Sequence, residues 1–131
     1  MRTLILVSLF GALGAVSRWQ ICKWMPKPDE FPLGTFVVNI IGCLFLGILT
    51  GMALTSKDIP PSWRTPLITG IATGFLGSFT TFSTFAVESV QLFEGPQWKF
   101  AILYLGGQII LGVLLAFLGL YLGRQLCSIS S

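Results

Sequence analysis

Four long apolar runs, separated by short polar connectors, account for almost all of the sequence. They cover residues 3–24, 33–54, 65–93 and 98–126. Each run is long enough for the roughly 20 residues that a helix needs to cross a bilayer. The pattern therefore predicts an all-α integral membrane protein with four transmembrane helices, forming a single transmembrane domain over residues 1–131.

Composition supports a membrane location and narrows the possible functions. Only 10% of the residues are charged, whereas a soluble domain carries roughly a quarter. The net charge of +3 is small and scattered, so we expect no nucleic-acid partner. The chain has no histidine and shows no nucleophile beside a base, so we expect no enzymatic activity.

The first run places one arginine near its far end. Gly11 and Ala15 form a small-xxx-small pair, which lets helix backbones approach closely in lipid. Arg18 follows, and two interpretations stay open. It is either a snorkelling anchor beside Trp19 and Trp24 at the interface, or part of an electropositive vestibule that gathers anions. A cleaved signal peptide is less favoured than a retained helix, because apolar character continues beyond the small residues.

The third run contains the most unusual stretch of the chain, Gly74–Phe85, which we call the hub. It combines glycines, hydroxyls and phenyl rings inside an apolar run that is longer than a straight span needs. This composition predicts a third helix that is broken near its centre, from Gly77 to Thr80. Carbonyls exposed at Gly77 and Thr80 would be hard oxygen ligands. Without a side-chain carboxylate at the break, they suit a monovalent cation better than a divalent one.

The second half of the hub favours the opposite charge. Phe82 and Phe85 are three residues apart and share a helical face, where their positive ring edges can meet an anion. Beside them, Thr80, Thr84 and Glu88 form a polar stripe with a spacing of four residues, and Ser83 lies next to it. Hydroxyls donate hydrogen bonds to anions, although packing alone is the alternative explanation for the phenyl rings.

Polar side chains in the second and fourth runs extend this picture. Thr35 and Asn39 are four residues apart and face the same side of their helix. An asparagine in hydrocarbon either bonds a neighbouring helix or faces a pore, and the hydroxyls nearby favour the pore. In the fourth run, Tyr104, Gln108 and Gly112 recur every four residues and form one polar or small stripe.

The basic residues show no bias between the two sides of the membrane. Four lie on the side of the termini, and they are Arg2, Lys57, Arg64 and Arg124. Four lie on the other side, and they are Arg18, Lys23, Lys27 and Lys99. Positive charge normally sets the orientation, so a chain without bias inserts both ways. We therefore predict an antiparallel, dual-topology homodimer.

Three motifs, in this order, resemble the Fluc (CrcB-type) fluoride channels. They are Gly-Ala-x-x-Arg18, Gly34-Thr35…Asn39, and Gly77…Thr80-Thr81-Phe82-Ser83-Thr84-Phe85…Glu88. The resemblance covers essentially the whole chain. It implies a homodimer with two antiparallel pores in a prokaryotic plasma (inner) membrane. Each pore would export fluoride passively, and a structural sodium ion would lie at the dimer centre.

The resemblance also implies roles for individual residues. The carbonyls of Gly77 and Thr80 would hold sodium, and Phe82 and Phe85 would form a phenyl box along each fluoride path. Asn39 and Thr35 would donate hydrogen bonds in the pore, and Tyr104 would begin a polar track on the fourth helix. Arg18 would lie at the vestibule, and Ser83, Thr84 and Glu88 would lie farther along the path.

The chain departs from the pattern of many relatives at two positions. Ser78 replaces a second glycine, and Gly112 replaces a small polar residue. Gln108 stands at a position where the residue varies.

Two other function classes are alternatives to a fluoride channel. A small proton-coupled multidrug exporter also has four spans, but it needs a carboxylate in its first span. This chain has no acidic residue before Asp29, and its deep acid is Glu88 in the third run. The second class is a non-conducting assembly subunit, for which the small-xxx-small pairs would be the whole explanation.

Overall fold

The computed structural model describes residues 1–26, 31–55, 61–96 and 98–129. Lys27 and Lys57, two of the charges used in the orientation argument, lie outside the described residues. The described part is helical almost throughout. In chain order its elements are α1 (Arg2–Trp24), α2 (Leu33–Thr55), α3 (Pro61–Thr69), a π-helical segment (Gly70–Leu76), α4 (Gly77–Phe79), α5 (Phe82–Glu94) and α6 (Trp98–Ile129).

Four stretches are long and apolar enough to cross a membrane. They are Arg2–Trp24, Leu33–Leu54, Ser62–Glu94 and Trp98–Cys127. Most of their surface is exposed in the single chain, as expected for helices that face lipid or a partner. The prediction of an all-α protein with four apolar helices is confirmed.

The third span contains several helical segments in succession. α3 passes into the π-helical segment at Gly70, and α4 follows as a single turn that ends at Phe79. Thr80 and Thr81 are extended, and α5 begins at Phe82. The π-helical segment was not predicted, because an apolar pattern does not distinguish an i→i+5 ladder from an i→i+4 ladder.

Glycines allow α2 and α6 to pack with their backbones in contact. A Cβ added at Gly119 would lie only 3.1 Å from the Cα of Gly47, and one added at Gly123 only 3.0 Å from the Cα of Gly51. Both pairs are spaced by four residues along their helices. This is the small-xxx-small packing that holds transmembrane helices together where no hydrophobic driving force exists.

Helix α1 packs against the π-helical segment in a similar way. Gly14 is buried, and a side chain there would clash with the Phe75 carbonyl. On the facing segment, a Cβ at Gly74 would come within 2.8 Å of the Val7 carbonyl oxygen. This close approach brings the end of α1, including Arg18, beside the hub.

Helix α5 packs on α6 through a small aromatic core. Phe85 and Tyr104 lie with their ring centroids 5.2 Å apart, and Tyr104 is fully buried. Leu92 and Ala101 complete the buried cluster. Since the same two aromatic residues were predicted to line an ion path, the core and the candidate site share one wall.

Candidate ion site in the third span

The third span is interrupted at Thr80 and Thr81, which we call the break. Thr80 has φ −90° and ψ 163°, and Thr81 has φ −153° and ψ 116°. Thr81 is the N-cap of α5, since its Oγ1 accepts a hydrogen bond of 3.2 Å from the Thr84 N–H. Threonine is a favoured N-cap residue because its hydroxyl pairs a backbone donor that has no partner in the helix.

Asn39 of α2 is hydrogen-bonded to the break from both ends of its amide. Its Nδ2 donates to the Thr81 carbonyl at 3.0 Å, and its Oδ1 accepts from the Thr81 N–H at 2.8 Å. Of the two roles considered for Asn39, the bond between helices is present. Its side chain also lines the pocket at the break, so the two roles are compatible.

The break opens into a pocket of about 330 Å³, which we call the break pocket. Gly77, Thr80, Phe82 and Phe85 are among the residues that line it. The ring centroids of Phe82 and Phe85 are 5.7 Å apart, with an angle of 57° between the planes. Phe85 is buried, whereas Phe82 is 79% exposed in the single chain.

A second pocket of about 280 Å³, the Arg18 pocket, is also lined by Thr81. Arg18, Thr35, Thr84 and Glu88 all line it. The two pockets therefore share a wall residue, Thr81, at the break. The Arg18 Nε donates to the Ser78 carbonyl at 3.1 Å, so this arginine is attached to the hub as well as facing the pocket.

Glu88 joins three helices within the membrane span. One carboxyl oxygen accepts from the Thr35 hydroxyl at 3.0 Å, and the other accepts from the Tyr104 hydroxyl at 2.8 Å. Thr35 is 4% exposed, and Tyr104 is fully buried. An ionisable group at this depth is expensive unless it is paired, and both oxygens are paired here.

The structure brings the predicted residues together around the two pockets. Ser83 is exposed, and its hydroxyl lies 3.4 Å from Thr81 Oγ1. Tyr104 reaches the site through Glu88. The remaining predicted residues line one pocket or the other: Arg18, Thr35, Thr84 and Glu88 in the Arg18 pocket, and Asn39, Gly77, Thr80, Phe82 and Phe85 in the break pocket.

Comparison with known proteins identifies the family. Residues 5–120 match the family model described as CrcB-like protein, Camphor Resistance (CrcB). The chain belongs to the CrcB family. The resemblance inferred from the sequence motifs is therefore confirmed, and the four apolar helices make this CrcB chain a multi-pass membrane protein of a family with bacterial members.

Several CrcB relatives that align over nearly their whole length are named fluoride-specific ion channel FluC. The protein of Nitratidesulfovibrio vulgaris is 44% identical over 95% of this chain and 98% of its own length. That of Oceanobacillus iheyensis is 43% identical over 93% of this chain and 92% of its own. That of Maridesulfovibrio salexigens is 39% identical over 98% of this chain and all of its own.

Gln108 is the residue of this CrcB chain to which the motifs assigned no role. It is 9% exposed and lines the break pocket, yet neither of its amide atoms has a hydrogen-bond partner among the described residues. A buried amide without partners is rare in native proteins, so this one is a candidate contact for an ion or water. The sequence feature that indicated a role for Gln108 was its spacing of four residues from Tyr104, which places both on one face of the fourth helix.

Proposed function

We propose that this CrcB chain forms a fluoride-selective channel. The observation that carries the proposal is the pair of pockets that share Thr81 in their walls, because residues with hydroxyl, amide and phenyl groups line them inside a membrane span. Selectivity in a narrow path comes from donors that replace the hydration of the ion. The relatives named as fluoride-specific channels support the same conclusion, since they align over more than nine-tenths of this chain.

Export is passive in this proposal. A membrane potential that is negative inside drives an anion outward by about 2.3 kcal/mol per charge per 100 mV. The fluoride path runs from the Arg18 pocket, where a guanidinium attracts the anion, to the break pocket. Along it, Thr35, Ser83 and Thr84 supply hydroxyl donors.

The phenyl rings supply the most selective part of the path. Phe82 and Phe85 present ring edges, which are positive, to an anion that has lost much of its water. Asn39 and Gln108 add amide donors at the same pocket. Tyr104 and Glu88 form the buried wall of the path, with Glu88 fixing the orientation of the Thr35 and Tyr104 hydroxyls.

We also propose a structural sodium ion held by the carbonyls of Gly77 and Thr80. The extended backbone at Thr80 turns its carbonyl away from the direction of a helical ladder. Gly77 is exposed and lines the break pocket, which supports a role for its backbone at that site. No group of three His, Cys, Asp or Glu side chains lies together in the part of the chain that the structure describes, which favours a monovalent cation over a transition metal.

The proposed unit is an antiparallel homodimer. Phe82 is 79% exposed although it belongs to the polar hub, and a second copy would cover it. The even division of basic residues allows both orientations. A reporter fused to the C-terminus is expected to be detected on both sides of the membrane in comparable amounts. Detection on one side only would contradict the dual topology.

Growth of bacteria that lack their own fluoride exporter separates this function from the multidrug-exporter alternative. Cells expressing the chain are expected to grow at fluoride concentrations that stop cells carrying an empty vector. Cells expressing Phe82→Ile are the control, since they contain the protein with an altered path. Resistance to toxic organic cations without fluoride resistance would favour the exporter instead.

A further inference from the structure

We propose that Asn39 and Thr81 act as a latch that keeps the Gly77 and Thr80 carbonyls free to bind a cation. The inference rests on the proposed sodium site and assigns a positioning role to two side chains that donate nothing to the ion. Each takes up a backbone N–H group that a regular helix would give to one of these carbonyls.

The first half of the latch concerns Gly77. In an α-helix, the carbonyl of residue i accepts from the N–H of residue i+4, so the partner of the Gly77 carbonyl would be the Thr81 N–H. That N–H donates instead to Asn39 Oδ1 at 2.8 Å. Asn39 belongs to α2, so a neighbouring helix removes this donor from the ladder.

The second half concerns Thr80. Its carbonyl would accept from the Thr84 N–H in a continuous helix. That N–H donates instead to Thr81 Oγ1 at 3.2 Å, since Thr81 is the N-cap of α5. The two carbonyls proposed to hold sodium therefore lose their helical donors to two identified side chains.

The carbonyl of Ser78, which lies between them in sequence, is treated differently. Its helical donor would be the Phe82 N–H, and here the Arg18 Nε donates to it at 3.1 Å. A side chain thus supplies the Ser78 carbonyl with a donor, whereas the N–H groups that would pair the Gly77 and Thr80 carbonyls in a helix donate elsewhere. Unpaired carbonyls are unfavourable in a membrane, so the arrangement favours a bound cation at those two positions.

The amide of Asn39 is the group that makes the first half of the latch specific. Its Nδ2 donates to the Thr81 carbonyl, which fixes the amide so that Oδ1 faces the Thr81 N–H. Alanine would remove both bonds and allow the Thr81 N–H to return to Gly77. Because Phe82 follows Thr81 directly, the latch also positions the ring in the anion path and couples that path to the cation site.

Thermal unfolding of the purified full-length protein, over a series of sodium concentrations balanced with N-methylglucamine, tests the latch. A cation that binds only the folded protein raises the free energy of unfolding by RT ln(1 + [Na⁺]/Kd), so the unfolding temperature begins to rise once sodium exceeds its Kd. We expect Asn39→Ala to raise the sodium concentration needed for a given rise in unfolding temperature about tenfold, as for the loss of one hydrogen bond. Thr81→Ala should act in the same direction, and Thr81→Ser, which keeps the hydroxyl, should restore the wild-type value.

The matched control is Thr50→Ala, also in α2, since the Thr50 hydroxyl donates to the Leu46 carbonyl of its own helix. Its sodium dependence should equal that of the wild type. The latch is overturned if Asn39→Ala and Thr81→Ala show the wild-type sodium dependence, or if sodium has no effect on the wild type. Should Asn39→Ala fail to fold, Thr81→Ala and Thr81→Ser still decide the question.

Fluoride efflux from liposomes distinguishes this failure from failure of the channel proposal. If the wild type conducts fluoride while sodium has no effect on unfolding, the latch fails and the channel stands. High sodium should recover part of the lost efflux of Asn39→Ala if the latch is correct. Reduced efflux with unchanged sodium dependence would instead make Asn39 a pore donor only.

Discussion

Replacing Phe82 by isoleucine is expected to slow fluoride efflux roughly tenfold to a hundredfold, which corresponds to about 1.4 to 2.7 kcal/mol in the barrier. Isoleucine keeps an apolar side chain but has no positive ring edge to face an anion. Phe82 is 79% exposed, so the substitution removes little packing from the single chain. The measurement is the initial rate of efflux from liposomes that contain equal amounts of folded protein.

Phe93→Ile is the matched control for this experiment. Phe93 lies on the same helix, α5, and is 48% exposed, but it lines neither of the two pockets. Its efflux rate should stay within about twofold of the wild type, a difference below 0.5 kcal/mol in the barrier. Equal fluoride efflux rates for Phe82→Ile and Phe93→Ile would show that the Phe82 ring has no specific role in conduction.

Replacing Glu88 by alanine is expected to destabilise the protein by about 2 to 6 kcal/mol. The hydroxyls of Thr35 and Tyr104 both donate to this carboxyl group, and both residues are buried. Each would lose its acceptor, and a buried polar group without a partner costs about 1 to 3 kcal/mol. Denaturant unfolding in detergent measures the change, and fluoride efflux should fall with it because the two hydroxyls lose their fixed orientation.

Glu94→Ala controls for the removal of an acidic side chain from α5. Glu94 is the last residue of that helix and is exposed. Its replacement should change stability by less than about 0.5 kcal/mol, as is usual for surface substitutions. A loss of stability in Glu88→Ala no larger than in Glu94→Ala would contradict the bridging role of Glu88 between three helices.

The sequence was sufficient to predict the four apolar helices. Apolar runs of bilayer length are a strong signal, because lipid excludes charged residues along whole spans. Polar residues within such a run are equally informative, since each is unfavourable in hydrocarbon without a partner. The spacing of Thr35 and Asn39 predicts that both face the same side of α2, and in the structure they bond Glu88 and Thr81, both in the third span.

Other features depend on contacts between helices and could not be predicted from local patterns. The pairing of Asn39 with Thr81 depends on the position of α2 along the membrane normal relative to the break. The two hydrogen bonds of Glu88 depend on how α2, α5 and α6 pack together. The π-helical segment adds a further shift in register between α3 and α4. Spacing along one helix carries no information about these relative positions.

Fluoride efflux from liposomes tests the central claim most directly. Vesicles loaded with potassium fluoride or potassium chloride, and containing the purified protein, are treated with valinomycin so that potassium movement balances the anion. A fluoride-selective channel should release fluoride within seconds and retain chloride at the level of vesicles without protein. Retention of fluoride, or release of both anions at similar rates, would contradict the account.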